Sequence, residues 1–170
     1  RLLDEVATLF EPQCRVQKVE LVREGMGTRI VTHGDGPQLR QAFLNVALNA
    51  LQATPSGGSI RLACAQKSDA TLTKGPGAGG MPFIEVRLAD SGCGIPEENL
   101  RRIFDPFFTT KKPGEGTGLG LAVSTDIIAA HQGTIDAISE VGKGTEVIIR
   151  LPAPREEVRD ANTSTHPDRG

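Results

Sequence analysis

The sequence GEGTGLGLA at residues 114–122 joins a glycine-rich loop to a predicted helix over 118–131. Free N–H groups and the positive end of the helix dipole make such a helix start a natural phosphate site. No GK[ST] follows and no strand directly precedes the loop, so it is neither a P-loop nor a dinucleotide fingerprint. A flexible linker is the alternative, but a linker has no need of the helix-compatible glycines Gly118 and Gly120. The stretch therefore predicts a bound phosphate.

The segment just before this loop is long and irregular. Residues 96–117 allow at most a short helix at 97–103, because prolines and glycines interrupt anything longer. Such a segment inside a compact domain is typical of a functional lid or of disorder. Cations in it could reach a phosphate when a lid closes, while its aromatic rings could instead pin the loop to the core. The side chains concerned are Arg102, Phe104, Phe107, Phe108, Lys111 and Lys112.

The motif DSGCGI at residues 90–95 directly follows a predicted strand. A carboxylate at the end of a strand can accept a hydrogen bond from an exocyclic amine, and the two glycines after it let a flat ring approach the backbone. The alternative is an ordinary turn that caps a hairpin. Asp90 is therefore a candidate ligand-binding residue.

A helix is predicted from Pro37 to Ala53, with Asp35 and Gly36 as possible caps. Its circumference is mostly apolar, yet Gln41, Asn45 and Asn49 recur at i, i+4 and i+8 and share one stripe. The stripe could be a solvent-facing edge. Amide oxygens are also suitable ligands for Mg²⁺, which takes further contacts from substrate phosphates.

The remaining elements predict an α+β fold, a two-layer sandwich with a mixed, mostly antiparallel sheet and its helices on one face. Residues 1–10 read as the end of a helix halted by Pro12, and 152–170 as a disordered tail. Residues 59–64 and 83–89 alternate as an antiparallel pair, with Arg61, Glu85 and Arg87 on the wet face and a long glycine-rich connector at 65–82. The other predicted strands are 15–22 and 29–33, which a turn at 24–27 separates, and 134–139 and 144–151.

Composition narrows the class of protein. The 170 residues suit one domain, and the formal net charge of −2 gives no support for binding to nucleic acid or to an anionic membrane. No apolar run approaches the length of a bilayer span, so we expect no membrane contact by this segment, although a longer parent protein could be anchored. Three widely spaced cysteines argue against disulfides or zinc and fit a cytoplasmic setting, each as a small buried side chain.

Taken in order, four motifs resemble those of the GHKL superfamily, named for gyrase, the Hsp90 chaperones, histidine kinases and MutL. QLRQAFLNVALNALQA is similar to the N box, DSGCGI to the first glycine box, IFDPFFTTK to the F box, and GEGTGLGLA to the second glycine box. The F box is typical of histidine kinases, and FDPFFTTK most resembles the nitrogen-regulation sensor kinases. The resemblance covers about residues 1–151.

The resemblance implies a role for each matching residue. Asp90 would bind the adenine amino group, with Gly94 and Thr145 in the base pocket. Asn49 would be the principal Mg²⁺ ligand beside Asn45, and Arg102 and Lys111 would lie near the phosphates. Asn49, Arg102 and Lys111 are accordingly the expected catalytic residues. The full expected ATP-binding set is Asn45, Asn49, Asp90, Gly92, Gly94, Ile95, Phe104, Lys111, Gly116, Thr117, Gly118, Leu119, Gly120 and Thr145.

The resemblance also implies phosphoryl transfer to a histidine. Related ATPases carry a glutamate base where this chain has Asn45, which cannot take a proton, so steady ATP hydrolysis is disfavoured. His131 suits a structural role at a helix end, and neither His33 nor His166 is followed by a pattern that resembles an acceptor box. We therefore expect the acceptor in a dimeric helical hairpin before residue 1, with residues 1–12 as its exit and 13–151 as the catalytic domain.

The expected onward partner is a response-regulator receiver domain. Two alternatives remain open at this point. One is a GHKL serine kinase of the anti-sigma type, against which the full F box speaks, and the other is an ATP-sensing binding module without transfer.

Overall fold

The computed structural model describes residues 1–25, 32–69, 81–111 and 116–154. A five-stranded mixed sheet forms one layer and the long helices pack on one of its faces, which confirms the predicted two-layer α+β fold. The elements in chain order are α1 (Leu2–Gln17), β1 (Glu20–Glu24), α2 (Gly36–Ala53), β2 (Ser59–Asp69), β3 (Met81–Asp90), α3 (Glu97–Leu100), α4 (Gly120–Ala130), β4 (Thr134–Glu140) and β5 (Gly144–Pro152).

The sheet has the strand order β1-β2-β3-β5-β4. β1 runs parallel to β2, and the other neighbouring pairs are antiparallel, as predicted for β2 with β3. In this register Asp90, the last residue of β3, lies opposite Ile60 on one side and Thr145 on the other. The predicted strands 59–64, 83–89, 134–139 and 144–151 are all present within slightly longer elements.

The core lies between the sheet and α2, because one face of each element is apolar. Helical spacing on α2 buries Leu39, Phe43, Val46 and Ala50, and alternation on the strands buries their partners. The buried strand residues are Ile60, Leu62, Ile84, Val86, Leu88, Val147, Ile149 and Leu151.

α2 begins as the sequence predicts. The carboxylate of Asp35 accepts a hydrogen bond from the backbone N–H of Gln38, and Pro37 occupies the first turn, where its missing N–H costs no hydrogen bond. The helix ends at Ala53, just before Pro55 and the Gly57-Gly58 pair. The predicted bounds of this helix are therefore confirmed to within a residue.

α1 corrects the predicted N-terminal region. The helix runs through Pro12 to Gln17, and it ends at Lys18, whose φ of 59° is left-handed. Tertiary packing explains the extension, because Phe10 and Cys14, four residues apart, are both buried in the core on either side of Pro12. The predicted halt at Pro12 and the strand start at residue 15 are therefore wrong. The proposed division of the chain at residue 12 stays a prediction.

α1 is also tied to α2 by a specific contact. The side-chain amide of Gln17 donates to the carbonyl oxygens of Leu51 at 3.0 Å and Thr54 at 2.9 Å. Leu51 lies in the last turn of α2, where its carbonyl oxygen also accepts the N–H of the C-cap residue Thr54 at 3.2 Å, so Gln17 adds to the capping of this helix end. The end of α1 thus stabilises the end of the helix that carries the candidate site.

Glu85 corrects the prediction of a wet sheet face. Its side chain is only 4% exposed, because Lys67, Arg87 and Arg150 cover it. Burial alone would raise the pKa of Glu85, but hydrogen bonds and charge from Lys67 and Arg87 outweigh burial and lower the pKa to about 2. The alternation of residues 83–89 correctly placed Glu85 on the same face as Arg87, but it did not predict the ion cluster that buries Glu85 there.

Several other predictions differ in detail. The helix predicted at 97–103 is helical only over α3 and continues as turns, and α4 is shorter than the predicted 118–131. Cys14 is buried and Cys64 partly buried, but Cys93 is exposed, so the expectation of burial is wrong for Cys93.

Some predictions fall largely outside the described residues. They are most of the turn at 24–27, most of the strand at 29–33, most of the connector at 65–82 and most of the tail at 152–170. The described ends of the connector, 65–69 and 81–82, extend β2 and β3, and Pro152 still belongs to β5, so the predicted bounds of the connector and the tail are wrong there. Thr32 and His33 are described and are irregular. Across the four described ranges, no helix combines the length and apolar character needed to cross a bilayer.

Candidate functional site

Asp90 is held rigidly at the end of β3. One carboxylate oxygen, Oδ1, accepts backbone N–H groups from Gly92 at 2.8 Å and from Thr145 at 3.3 Å. Burial raises the pKa of Asp90, and the two hydrogen bonds oppose that rise. Among the described residues, none donates to the second oxygen, Oδ2, which is left to accept a hydrogen bond from a ligand.

Thr145 completes this end of the site from β5. It is 8% exposed, and its hydroxyl lies 2.9 Å from that of Ser139, which also donates to the carbonyl oxygen of Gly144. The hydroxyl of Ser139 in turn accepts the backbone N–H of Ile95 at 2.8 Å. The predicted residues Asp90, Ile95 and Thr145 are therefore brought together, and Ser139 links two of them.

Glycines are required around Asp90 for space as well as conformation. A Cβ at Gly144 would lie 1.9 Å from the carbonyl oxygen of Asp90, and one at Gly94 would lie 2.1 Å from that of Glu140. Both glycines have positive φ, 110° and 71°. A Cβ at Gly92 would lie 2.5 Å from the carbonyl oxygen of Ala53, so the loop after Asp90 packs directly on the end of α2.

The amide stripe on α2 faces the start of α4. The side-chain amide of Asn45 donates to the carbonyl oxygen of Gly120 at 3.1 Å. A Cβ at Gly120 would lie 3.8 Å from both the Asn45 Cβ and the Asn49 Nδ2. Because the amide nitrogen of Asn45 is engaged, its oxygen is the atom left to face a ligand.

The loop before α4 packs against residues 104–108, which we call the phenylalanine segment. The N–H of Phe107 donates to the carbonyl oxygen of Gly118 at 2.9 Å, and a Cβ at Gly118 would lie 2.5 Å from the Phe107 carbonyl carbon. Phe107 is 75% exposed and has a φ of 66°, a left-handed conformation that costs a bulky residue on the order of 1 kcal/mol. Strain of this kind is typical of functional segments.

The N-terminus of α4 lies beside the amide stripe, since a Cβ at Gly120 would come within 3.8 Å of Asn49 Nδ2. It has no side-chain cap, so its first N–H groups are free of that kind of partner among the described residues. Leu119 N–H donates to the Thr117 hydroxyl at 3.3 Å, and Leu119 is 37% exposed. Gly116 packs beside Lys111, since a Cβ there would lie 3.0 Å from the lysine Cδ. The arrangement suits an anion at the helix start.

The lid cations lie in different places. Lys111 points its Nζ at α2, 3.5 Å from the Asn49 Oδ1, and contacts the Gln52 Oε1 more closely. Arg102 stacks instead on the ring of Phe108, with its guanidinium 4.5 Å from the ring centroid. Phe104 is partly buried. Lys111 is therefore at the amide stripe, whereas Arg102 is held on the lid.

α2 connects the two ends of the site. The carbonyl oxygen of Ala53 accepts the N–H of Cys93, next to Asp90, while Asn45 contacts the start of α4. Asn45 and Ala53 are eight residues apart on one helix, which places them about 12 Å apart along its axis.

His131 has a structural role, as expected. Its Nδ1 lies 2.7 Å from the carbonyl oxygen of Ile127, and its Nε2 accepts the N–H of Asp35 at 2.9 Å. Both ring nitrogens are thereby engaged, and the imidazole joins the end of α4 to the cap of α2.

Sequence reasoning missed Gln52 and Ser139. Gln52 follows Asn45 and Asn49 at i+7 and i+3, so it belongs to the same helical stripe and could have been found by extending that spacing. Ser139 sits in a strand of alternating burial and carries no local signal.

This chain resembles known proteins in sequence and in fold. Residues 34–155 match the sequence model of the family described as histidine kinase-, DNA gyrase B-, and HSP90-like ATPase. The chain is 36% identical to sporulation kinase A of Bacillus subtilis over 152 residues, which cover 89% of this chain and 23% of that protein. It is also 36% identical to the signal transduction histidine-protein kinase AtoS of Escherichia coli, over 89% of this chain and 22% of that protein. The chain thus spans less than a quarter of either kinase.

Solved structures of histidine kinases share this fold. The catalytic domain of histidine kinase ThkA superimposes with a TM-score of 0.73 at 30% identity, covering 89% of this chain and 90% of that one. Full-length ShkA in complex with AMPPNP gives a TM-score of 0.73 at 28% identity, covering 89% of this chain and 29% of that one.

Proposed function

This chain belongs to the histidine kinase-, DNA gyrase B- and HSP90-like ATPase family, and we propose that it binds Mg-ATP and transfers the γ-phosphoryl group to a histidine outside these 170 residues. In this proposal it is the catalytic domain of a sensor histidine kinase in two-component signalling. The finer resemblance to nitrogen-regulation kinases and the cytoplasmic setting stay predictions.

The observation that carries the proposal is the environment of Asp90. Two backbone N–H groups fix one carboxylate oxygen, and no residue of the described ranges donates to the other oxygen at the end of β3. An acceptor held in this way is suited to the exocyclic amine of adenine. Gly92 and Thr145 border this carboxylate closely, and Gly94 follows in the same loop, so a flat base can lie against the backbone.

Magnesium fits the donor atoms on α2. The amide oxygens of Asn49 and Asn45 are hard ligands of the kind Mg²⁺ accepts, and no described residue donates to the Asn45 oxygen while its nitrogen is engaged by Gly120. No group of three or more His, Cys, Asp or Glu within the described ranges could hold a metal, so the ion would depend on nucleotide phosphates as well. When bound, it neutralises phosphate charge.

The phosphate end of the site would be formed by the loop and the lid. Gly116, Thr117, Gly118, Leu119 and Gly120 lead into the open N-terminus of α4, which favours negative charge. Lys111 already lies at the amide stripe. We propose that Arg102 acts only after it leaves its present contacts, because the stack on Phe108 and the 3.8 Å ion pair with Asp105 hold its guanidinium in place.

Transfer is favoured over hydrolysis by the residue at position 45. Asn45 cannot accept a proton, and its nitrogen is engaged by Gly120. Phosphoryl transfer depends mainly on positioning and charge neutralisation, which the lysine, the helix terminus and the amides can supply. Since His131 has both ring nitrogens engaged, it is unsuited as the acceptor.

The proposed partners are a helical hairpin of the parent protein, which carries the acceptor histidine, and the receiver domain of a response regulator. The test supplies such a hairpin together with γ-labelled ATP. An acid-labile label on the hairpin supports the proposal. An acid-stable label would indicate a serine kinase, and ATP binding without any label would indicate a binding module.

A further inference from the structure

Lys111 contacts Gln52 of α2, a residue outside the expected ATP-binding set. Lys111 Nζ lies between the oxygens of Asn49 and Gln52, at 3.5 Å from the first and in closer contact with the second. The two amides are three residues apart on α2, so they share a face of the helix. Together they form a seat for one ammonium group.

When a nucleotide binds, the Asn49 oxygen and the Gln52 oxygen should have different partners. The Asn49 oxygen is the proposed metal ligand, and a divalent cation there would repel an ammonium group at the same oxygen. Gln52 lies one helical turn further on, where its neutral oxygen can still accept the lysine N–H. Lysine is a flexible point charge, so an acceptor is needed to keep it in one place.

We propose that Gln52 is a positioning residue that retains Lys111 beside the phosphates when Asn49 engages the metal. This inference rests on the proposed function. In this account Gln52 acts through the lysine, since its side-chain oxygen is turned to Lys111 Nζ. Its effect should therefore depend on Lys111 and on the presence of the terminal phosphates.

Titration calorimetry on the full 170-residue chain tests this with Mg-ATP and with AMP. Gln52→Met keeps the length of the side chain and removes the acceptor, and we expect it to weaken Mg-ATP binding about 3- to 10-fold. AMP affinity should change less than about 2-fold, because AMP lacks the distal phosphates. A variant that only damaged the helix would lose both ligands equally.

A Lys111→Met background and a control glutamine complete the test. In a Lys111→Met background, Gln52→Met should cost less than about 2-fold, which identifies the lysine as the route of its effect. Gln38→Met, an exposed glutamine in the first turn of the same helix, should leave both affinities unchanged.

The possible failures are distinguishable. If the unmodified chain binds neither ligand, the proposed function is wrong. If it binds Mg-ATP normally and Gln52→Met binds equally well, or loses affinity to the same extent with and without Lys111, Gln52 does not position the lysine.

Discussion

The amide nitrogen of Asn45 donates a 3.1 Å hydrogen bond to the carbonyl oxygen of Gly120, and so joins the middle of α2 to the first residue of α4. Ser124, which is fully buried, adds a second link between these helices by lying 3.2 Å from the carbonyl oxygen of Ala42. The proposed metal ligands and the proposed phosphate loop are therefore parts of one packed unit.

Asn45→Asp should destabilise the chain by about 1–3 kcal/mol, because a carboxylate would face the Gly120 carbonyl with no proton to donate. Urea unfolding measures the change. Asn49→Asp is the matched control: its oxygen accepts from Lys111, so the same substitution preserves that contact and should alter stability by less than about 0.5 kcal/mol. Equal losses in the two variants would contradict the assigned donor at Asn45.

Asn49→Ala should weaken ATP binding in the presence of magnesium and change it little when EDTA is present. The physical reason is that the lost oxygen serves the metal, whereas Asp90 and the α4 terminus still hold the base and phosphates. Paired calorimetric titrations in the two buffers provide the measurement. An equal loss in both would mean that Asn49 acts on the nucleotide directly.

Gly118→Ala should displace the phenylalanine segment and weaken ATP binding at least about 10-fold, since a Cβ there meets the Phe107 backbone. Gly142→Ala is the control, because Gly142 has a φ of 81° but no atom within 4 Å of its Cβ position. Both variants carry backbone strain of about 1 kcal/mol, so only the clash distinguishes them. Unchanged ATP affinity in Gly118→Ala would contradict the proposal that this loop takes part in ATP binding.

Glu85→Gln should lower stability by about 2 kcal/mol at neutral pH, because three cations lose their shared carboxylate. The folded pKa of about 2 lies below the ordinary 4.5. The charge therefore stabilises the fold fully above the ordinary pKa, and its contribution declines as pH falls through the folded one. Urea unfolding at several pH values measures the difference in the free energy of unfolding between the parent chain and Glu85→Gln, which should become smaller below about pH 4.5. A difference that does not change with pH would contradict the ion cluster.

Local chemistry made much of the fold and site predictable. The Asp35 cap, Pro37 and the glycines after Ala53 fix the bounds of α2, and alternation fixes the faces of β2 and β3. These signals act over a few residues, so the sequence alone contains them.

The remainder depends on contacts between distant parts of the chain. Helix α1 continues through Pro12 because the core accepts Phe10 and Cys14, and no local pattern reports that packing. Glu85 looked exposed by alternation, yet Lys67 and Arg150 from other strands cover it. Likewise the Lys111 contact with Gln52 joins residues 59 positions apart.

The most direct test of the nucleotide pocket is titration of the chain and of Asp90→Asn with Mg-ATP. Asparagine can still accept the N–H groups of Gly92 and Thr145, but it presents a donor where adenine offers another donor. Because burial raises the pKa of Asp90, the ionised form is costly in the fold, and the variant should be at least as stable as the parent. We predict micromolar-to-millimolar binding by the parent and no detectable binding by a fully folded Asp90→Asn. Equal affinity of the two proteins for ATP would contradict the assignment of Asp90 to adenine and with it the proposed function.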